Sequence, residues 1–148
     1  MSATADHLAS AQLAETLRPA LLRVSRRLRQ EAQRAGVSAL DALLLNQIKR
    51  SPGVGVCDLA DAEQISRPTM SGHVKRLEAA GWIARADHAE DGRRSGLAIT
   101  PAGQRQLEAV RQLRNDWLAG RIAKLPPEAQ AKLESAAAPL LQLLSLEP

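Results

Sequence analysis

Apolar residues recur at helical spacing over most of the chain. In the first segment, leucine and valine are separated by four, four, three and four positions, which places them on one face of a helix. These residues are Leu13, Leu17, Leu21, Val24 and Leu28. The pattern predicts a helix over Asp6–Arg34, with a kink or a late helix start near Pro19 because proline removes a backbone hydrogen bond.

Three further helices are predicted outside the centre of the chain. The first covers Ala39–Lys49, begins after Ser38 as N-cap, and has a dense apolar face formed by Leu40, Leu43, Leu44 and Ile48. The second opens at Pro101 after the cap residue Thr100. The last covers Glu128–Leu146, with a bend expected at Pro139. Its final turns are apolar on nearly every side, which indicates an interface with a second copy of the chain.

The central segment, residues 56–80, predicts two short helices joined by a tight turn. Leu59, Ala60 and Ala62 form the apolar side of the first helix, and Glu63–Ile65 makes the turn. Ser66 is the expected N-cap of the second helix, with Pro68 in its first turn. In that helix Met70, Val74 and Leu77 form a buried stripe, and the residues off the stripe are mostly hydrogen-bond donors and cations. These residues are Arg67, Thr69, Ser71, His73, Lys75 and Arg76. The arrangement is typical of a DNA-binding helix-turn-helix.

A β-hairpin is predicted directly after this motif. Gly81 closes the helix, the runs Trp82–Arg85 and Gly96–Thr100 can pair as strands, and residues 54–56 can add a third strand. The polar tip carries Arg93 and Arg94, which suit contacts with a phosphate backbone or a minor groove. Asp91 is expected to orient the Arg93 guanidinium by accepting its hydrogen bonds. A hairpin in this position is a wing.

The run from Asp58 to Gly103 resembles the winged helix-turn-helix signature of MarR-type bacterial transcriptional regulators. The matching residues are Leu59-Ala60, Ser66, Thr69, Leu77 to Gly81, Asp91-x-Arg93 and Ile99-Thr100-x-x-Gly103. The resemblance implies a triangular homodimer, with a pocket for a small aromatic anion between the dimer base and the DNA-binding lobe. This chain departs from the family pattern at Gly72, where many members carry arginine. Its base contacts at that point must therefore differ from those of such members.

Composition narrows the function classes. The net charge is +4 and the pI about 10.0, with the positive charge concentrated on the second helix of the motif and on the wing. The single cysteine, Cys57, excludes an internal disulfide framework. Neither a membrane span nor a signal peptide is apparent, so a cytoplasmic protein is expected. Catalytic motifs, metal-ligand spacing and cofactor motifs are missing from the sequence, and we expect no enzyme activity, no metal and no cofactor.

Together these features predict a mainly α fold with a small β-hairpin wing. Residues 36–100 would form the winged helix-turn-helix, and residues 1–35 and 101–148 a helical dimerisation region. The predicted partner is double-stranded DNA with a pseudo-palindromic operator. The predicted DNA contacts are Ser66, Arg67, Thr69, Ser71, His73, Lys75, Arg76, Arg93 and Arg94, and Arg23, Arg26 and Arg27 are candidate partners of an anionic effector. Two alternatives stay open: a protein-interaction module with the same fold, and a regulator that senses oxidants through Cys57.

Overall fold

The chain is mainly helical with a two-stranded antiparallel wing, which confirms the predicted fold class. The computed structural model describes residues 2–86 and 96–146, without the side chains of residues 2–5 and 86. The elements are α1 (Ser2–Gln33), α2 (Ala39–Arg50), α3 (Val56–Ala62), α4 (Arg67–Ala79), β1 (Ile83–Ala86), β2 (Gly96–Ile99), α5 (Pro101–Ile122) and α6 (Pro127–Leu143). Two compact units are present, Met1–Arg114 and Asn115–Pro148. Within the described ranges no helix is long and apolar enough to cross a membrane.

The first helix is continuous through Pro19, so the predicted late start is wrong. Its apolar stripe is also largely uncovered in the single chain. Leu13 is 58% exposed and Val24 is 42% exposed, and only Glu31 and Ala32 are buried among the described side chains of α1. The stripe that predicted the helix therefore does not belong to the core of one chain.

The hydrophobic core lies between Ala32 and Val110. Helix α2 contributes most to it, beginning where the Ser38 hydroxyl accepts a hydrogen bond of 3.0 Å from the Asp41 N–H. Leu44 and Ile48 are buried as predicted, whereas Leu43 is exposed and Leu45 is buried in its place. Helix α2 packs against β2 and α1, and its buried side differs from the face that the spacing indicated.

Both helices of the helix-turn-helix end in the same capping arrangement. After α3 the Ile65 N–H donates to the Ala60 carbonyl over 3.0 Å, and after α4 the Trp82 N–H donates to the Leu77 carbonyl over 3.1 Å. This arrangement needs a left-handed residue, and Gly81 takes that position with φ +75°. Gln64 occupies it after α3 with φ +53°, which the sequence did not signal. The predicted turn is confirmed, although Ala62 is exposed rather than buried.

The wing pairs β1 with β2 from Ile83↔Ile99 to Ala86↔Gly96. The predicted third strand is reduced to one bridge between Val54 and Leu97, in which the Leu97 N–H donates to the Val54 carbonyl over 2.9 Å. Gly96 permits this approach, because a Cβ at that position would lie 2.3 Å from the Gly53 backbone. The bridge ties the base of the wing to the segment that precedes α3.

Thr100 joins the wing to α5. Its hydroxyl donates to the Gly81 carbonyl over 2.6 Å and accepts from the Gly103 N–H over 3.1 Å, so it caps α5 and also binds the end of α4. The predicted cap is confirmed. At Gly103 the start of α5 comes so close to the chain that a Cβ would lie 2.1 Å from the Trp82 carbonyl oxygen.

The last helix has no buried residue in the single chain. It begins at Pro127 and ends at Leu143, one residue before the predicted start and three before the predicted end. Large apolar side chains are exposed along it and just beyond it: Leu133, Leu141, Leu143, Leu144 and Leu146. This surface is unusually apolar for a helix in contact with water.

We expect Gly103→Ala to lower the free energy of unfolding by about 2 kcal/mol, because the new methyl group meets backbone atoms that cannot rotate away. Urea denaturation followed by circular dichroism measures the change. Gly120→Ala is the matched control in the same helix, since its Cβ would meet nothing within 4 Å. The control should raise stability by roughly 0.5–1 kcal/mol. Equal stability of the two variants would contradict the close approach at Gly103.

Candidate nucleic-acid interface

The start of α4 is defined by two hydroxyl side chains. The Ser66 Oγ accepts a hydrogen bond of 3.3 Å from the Thr69 N–H and donates to the Thr69 Oγ1 over 2.7 Å. Pro68 lies in the first turn, where its missing N–H removes no helical bond. Both hydroxyl groups stay exposed beside the positive end of the helix dipole. This end of α4 therefore suits a polar, negatively charged partner.

The buried side of α4 confirms the predicted stripe, because Met70, Val74 and Leu77 are at most 1% exposed. The six predicted contact residues divide into two groups. The exposed group is Arg67, Thr69, Lys75 and Arg76, whereas Ser71 and His73 are half-buried at the two borders of the stripe. The exposed face is therefore narrower than the sequence suggested.

Gly72 lies at the centre of this exposed face. It is two residues from both Met70 and Val74, and two residues of a helix correspond to a rotation of about 200°. A Cβ at Gly72 would meet no atom within 4 Å, so packing inside the protein does not require glycine there. The missing side chain leaves the backbone accessible to a partner surface.

Charge on the α4 face is positive. The only acidic residue of α4, Glu78, is neutralised by Arg85 of β1 across 3.0 Å. Arg67 and Lys75 remain on the surface with Arg76.

On α5, hydrogen bonds from Arg111 lower the pKa of the exposed Glu108 carboxyl, and neither group belongs to the α4 face.

Of the residues on the α4 face, Arg76 contacts the residue that is most distant in the sequence. Its Nη2 atom lies 2.5 Å from Oδ1 of Asp41, a residue of α2 that is 7% exposed. The same Nη2 atom lies 3.0 Å from Nδ1 of His73. The guanidinium thus connects a buried carboxylate to an imidazole at the border of the exposed face.

The predicted wing residues Asp91, Arg93 and Arg94 lie outside the described residues, as does His88. Cys57 is exposed in the first turn of α3. In the parts of the chain that the structure covers, histidine, cysteine and carboxylate side chains form no group of three that could hold a metal.

A cleft of about 410 Å³ opens beside α2. Helix α2 contributes apolar side chains and one amide to its lining, and other segments contribute charged side chains. The lining residues are Arg29, Ala39, Leu40, Ala42, Leu43, Asn46, Glu63 and Arg114. The predicted effector arginines Arg23, Arg26 and Arg27 do not line it, and Arg27 instead pairs with the buried Glu31 over 2.8 Å. The cationic groups that the structure brings to the cleft are Arg29 and Arg114.

Comparison with known proteins identifies the class. The model of the MarR family matches residues 35–94, which include α2, α3, α4 and β1. The HTH-type transcriptional regulator Mb0904 of Mycobacterium bovis is 34% identical over 142 residues, covering 93% of this chain and 96% of the relative. The chain belongs to the MarR family of helix-turn-helix transcriptional regulators. This family consists of transcriptional regulators and not of enzymes, in agreement with the sequence interpretation.

Solved MarR-like structures share the fold. A transcriptional regulator protein from Pseudomonas aeruginosa, described as putative, is 31% identical with a TM-score of 0.74 and covers 93% of this chain and 98% of its own. A point mutant of Staphylococcus aureus MepR, bound to an oligodeoxyribonucleotide, is 20% identical with a TM-score of 0.69. The match covers 89% of this chain and 97% of the MepR chain. The similarity extends beyond the segment matched by the MarR family model into the terminal helices.

Asp41 is one of four residues of interest that sequence reasoning missed. Its sequence signal is local only: an acid in the first turn of a helix, three residues after a serine cap. Its ion pair with Arg76 spans 35 positions and depends on how α2 packs against α4. Arg85, Arg29 and Arg114 were missed for the same reason.

We expect Ser66→Ala to lower the free energy of unfolding by about 1 kcal/mol, because the Thr69 N–H loses its acceptor. Ser66→Asp should restore most of that loss, since aspartate caps helices as well as serine does. Urea denaturation of the three proteins tests the assignment. If the alanine and aspartate variants were equally destabilised, Ser66 would not be acting as the cap.

Proposed function

We propose that this protein is a homodimeric, sequence-specific DNA-binding repressor that acts on a pseudo-palindromic operator. The exposed face of α4 carries this proposal: an amphipathic helix, capped by hydroxyl groups, presents cations and donors on the side opposite its buried stripe. A helix of this kind fits the major groove with its N-terminal residues on base edges. The oligodeoxyribonucleotide in the MepR structure supports the same use of the fold.

The proposed contacts separate by chemistry. Ser66, Thr69, Ser71 and His73 carry hydrogen-bonding groups suited to base edges or nearby phosphates, and Arg67 and Lys75 carry exposed charges suited to phosphates. Arg76 is placed beside His73 in the same face. Arg93 and Arg94 stay predicted wing contacts, with Asp91 as the residue that orients Arg93.

The exposed apolar residues support a dimer. Helix α1 exposes Leu8, Leu13, Leu21, Leu22 and Val24, and the described part of residues 101–148 exposes six leucines. Pairing two copies through residues 1–35 and 101–148 would remove these surfaces from water and leave residues 36–100 of each copy available for DNA. A two-fold dimer then reads two half-sites about 10 bp apart, centre to centre. As a bacterial regulator it would act in the cytoplasm, where the chromosome lies.

Two alternative functions remain distinguishable. A protein-interaction module would need a docking surface other than this one, since the large apolar side chains of α4 are all buried and Arg67, Lys75 and Arg76 are exposed. A redox-sensing regulator would need Cys57 to react, and its exposure in the first turn of α3 is compatible with that. Loss of DNA binding after peroxide treatment of the wild type, but not of Cys57→Ser, would favour the redox function.

The cleft beside α2 supports a small anionic effector. Its walls combine leucine and alanine side chains with the guanidinium groups of Arg29 and Arg114, a combination that suits an aromatic carboxylate. The Arg114 Nε donates to the Leu28 carbonyl over 3.3 Å, which holds the side chain against α1. A ligand there would release DNA only if it favours one arrangement of the dimer over the other.

DNA binding is tested by fluorescence anisotropy with the duplex upstream of the protein's own coding region, at several salt concentrations. We expect saturable binding of two chains per duplex, with a preference over a scrambled duplex of equal length. Lys75→Ala should weaken binding to both duplexes and reduce the slope of log affinity against log salt by about one, because one phosphate contact is lost.

Lys124→Ala is the control, since it removes an exposed lysine outside the winged helix-turn-helix. It should leave the salt slope unchanged. Light scattering of the free protein measures its oligomeric state in the same buffers. A monomer that ignores both duplexes at low salt would favour the protein-interaction module.

The effector proposal predicts that benzoate and salicylate raise the melting temperature of the wild type in a thermal-shift assay. Arg29→Ala and Arg114→Ala should lose most of this rise, because each removes a guanidinium from the cleft. Arg23→Ala is the control, since Arg23 is exposed outside the cleft and should keep the full rise. An equal rise in all four proteins would exclude this cleft as the site.

A further inference from the structure

The geometry around Arg76 points to a positioning residue for DNA reading. We propose that Arg76 holds the His73 ring so that Nδ1 accepts a hydrogen bond and Nε2–H is presented to DNA as a donor. This inference rests on the proposed DNA-binding function and assigns different tasks to the two residues: His73 touches DNA, and Arg76 acts through His73.

Asp41 is buried in the first turn of α2. Its side chain is 9% exposed, and a carboxylate with so little access to water requires a charged or hydrogen-bonding partner. Arg76 provides this partner at 2.5 Å. The Asp41 N–H is bound to Ser38, so the residue is fixed in the first turn of α2. The Nη2 atom of Arg76 is thereby held beside Asp41.

The hydrogen bond between Arg76 and His73 can run in one direction only, with Arg76 as the donor. A guanidinium has five N–H donors and no acceptor. The contact of 3.0 Å between Arg76 Nη2 and His73 Nδ1 therefore requires Nδ1 to be the acceptor. A neutral imidazole with an accepting Nδ1 carries its proton on Nε2. The ion pair with Asp41 thus selects one tautomer and one ring orientation at the border of the α4 face.

The tautomer of His73 determines which groups of DNA its ring can bind. An Nε2–H donor matches acceptors, namely purine N7, guanine O6, thymine O4 or a phosphate oxygen, and it cannot pair with the amino groups of adenine or cytosine. His73 would then favour an acceptor at its position in the major groove. Gly72, the neighbouring residue without a side chain, leaves room for the helix to come close to that acceptor.

The test combines spectroscopy with a double-mutant cycle. Long-range proton–nitrogen spectra of the free protein, recorded where His73 is neutral, should show Nδ1 unprotonated in the wild type and a mixture of tautomers in Arg76→Gln. Arg76→Lys, which keeps the positive charge that pairs with Asp41, should recover part of the wild-type spectrum. A spectrum unchanged in Arg76→Gln would overturn the proposal.

Binding is measured with the duplex that the wild type selects most strongly from a randomised pool. His73→Ala should weaken it about tenfold, and Arg76→Gln by a similar factor. The double variant should lose no more than His73→Ala alone, because Arg76 acts through the ring. Multiplied losses would show that Arg76 contacts DNA by itself, and an unaffected Arg76→Gln would show that it does not position the ring. Both results would overturn the proposal.

Removal of Arg76 leaves Asp41 buried without its ion pair, which can destabilise the fold. Asp41→Asn/Arg76→Gln removes both charges and is the variant to use if Arg76→Gln unfolds. A loss confined to the selected duplex indicates a base acceptor, and an equal loss on a scrambled duplex indicates a phosphate. Failure of the wild type to bind any duplex would reject the DNA-binding function, while the ring spectra would still report the tautomer.

Discussion

Burial of one side of α4 is the constraint on which the rest of the molecule depends. Met70, Val74 and Leu77 are inserted into a core formed by α2, α3, the wing and the first half of α5. Because that side of the helix is fixed, the opposite side is fixed as well, with Gly72 at its centre. The hydrogen bonds at Ser66 and at Gly81 set where the helix begins and ends. The interface proposed for DNA is the consequence of this packing.

The core is small and aliphatic, and it is confined to the middle of the chain. All of its buried apolar residues fall between Ala32 and Val110, whereas α6 buries none. Tryptophan supplies all the aromatic residues of the protein, so close packing comes from leucine, valine, isoleucine, alanine and Met70. Close backbone approaches at Gly96 and Gly103 hold the wing and α5 against that core. A single chain thus has a well-packed centre, while α1 and the C-terminal helix expose several large apolar side chains.

The contact between α2 and α4 connects the cleft to the proposed DNA-binding face. Asp41 faces Arg76, while its neighbours Leu40 and Ala42 line the cleft, so one helix borders both the cleft and the proposed DNA contacts. Gln47 of α2 also donates to Glu63 in the turn of the helix-turn-helix. A change in the position of α2 would therefore reach the exposed face of α4 through side chains in direct contact.

The sequence by itself determined the helix-turn-helix, its caps at Ser66 and Thr100, the wing strands and the buried stripe of α4, because these features follow from local periodicity and capping chemistry. It also indicated the family, through residues that are close together along the chain. Tertiary structure decided what depends on contacts between distant segments: Asp41 pairs with Arg76, the cleft receives Arg29 and Arg114 rather than Arg23, Arg26 and Arg27, and Cys57 is exposed. Spacing along a helix tells which residues share a face, but only packing tells what that face meets.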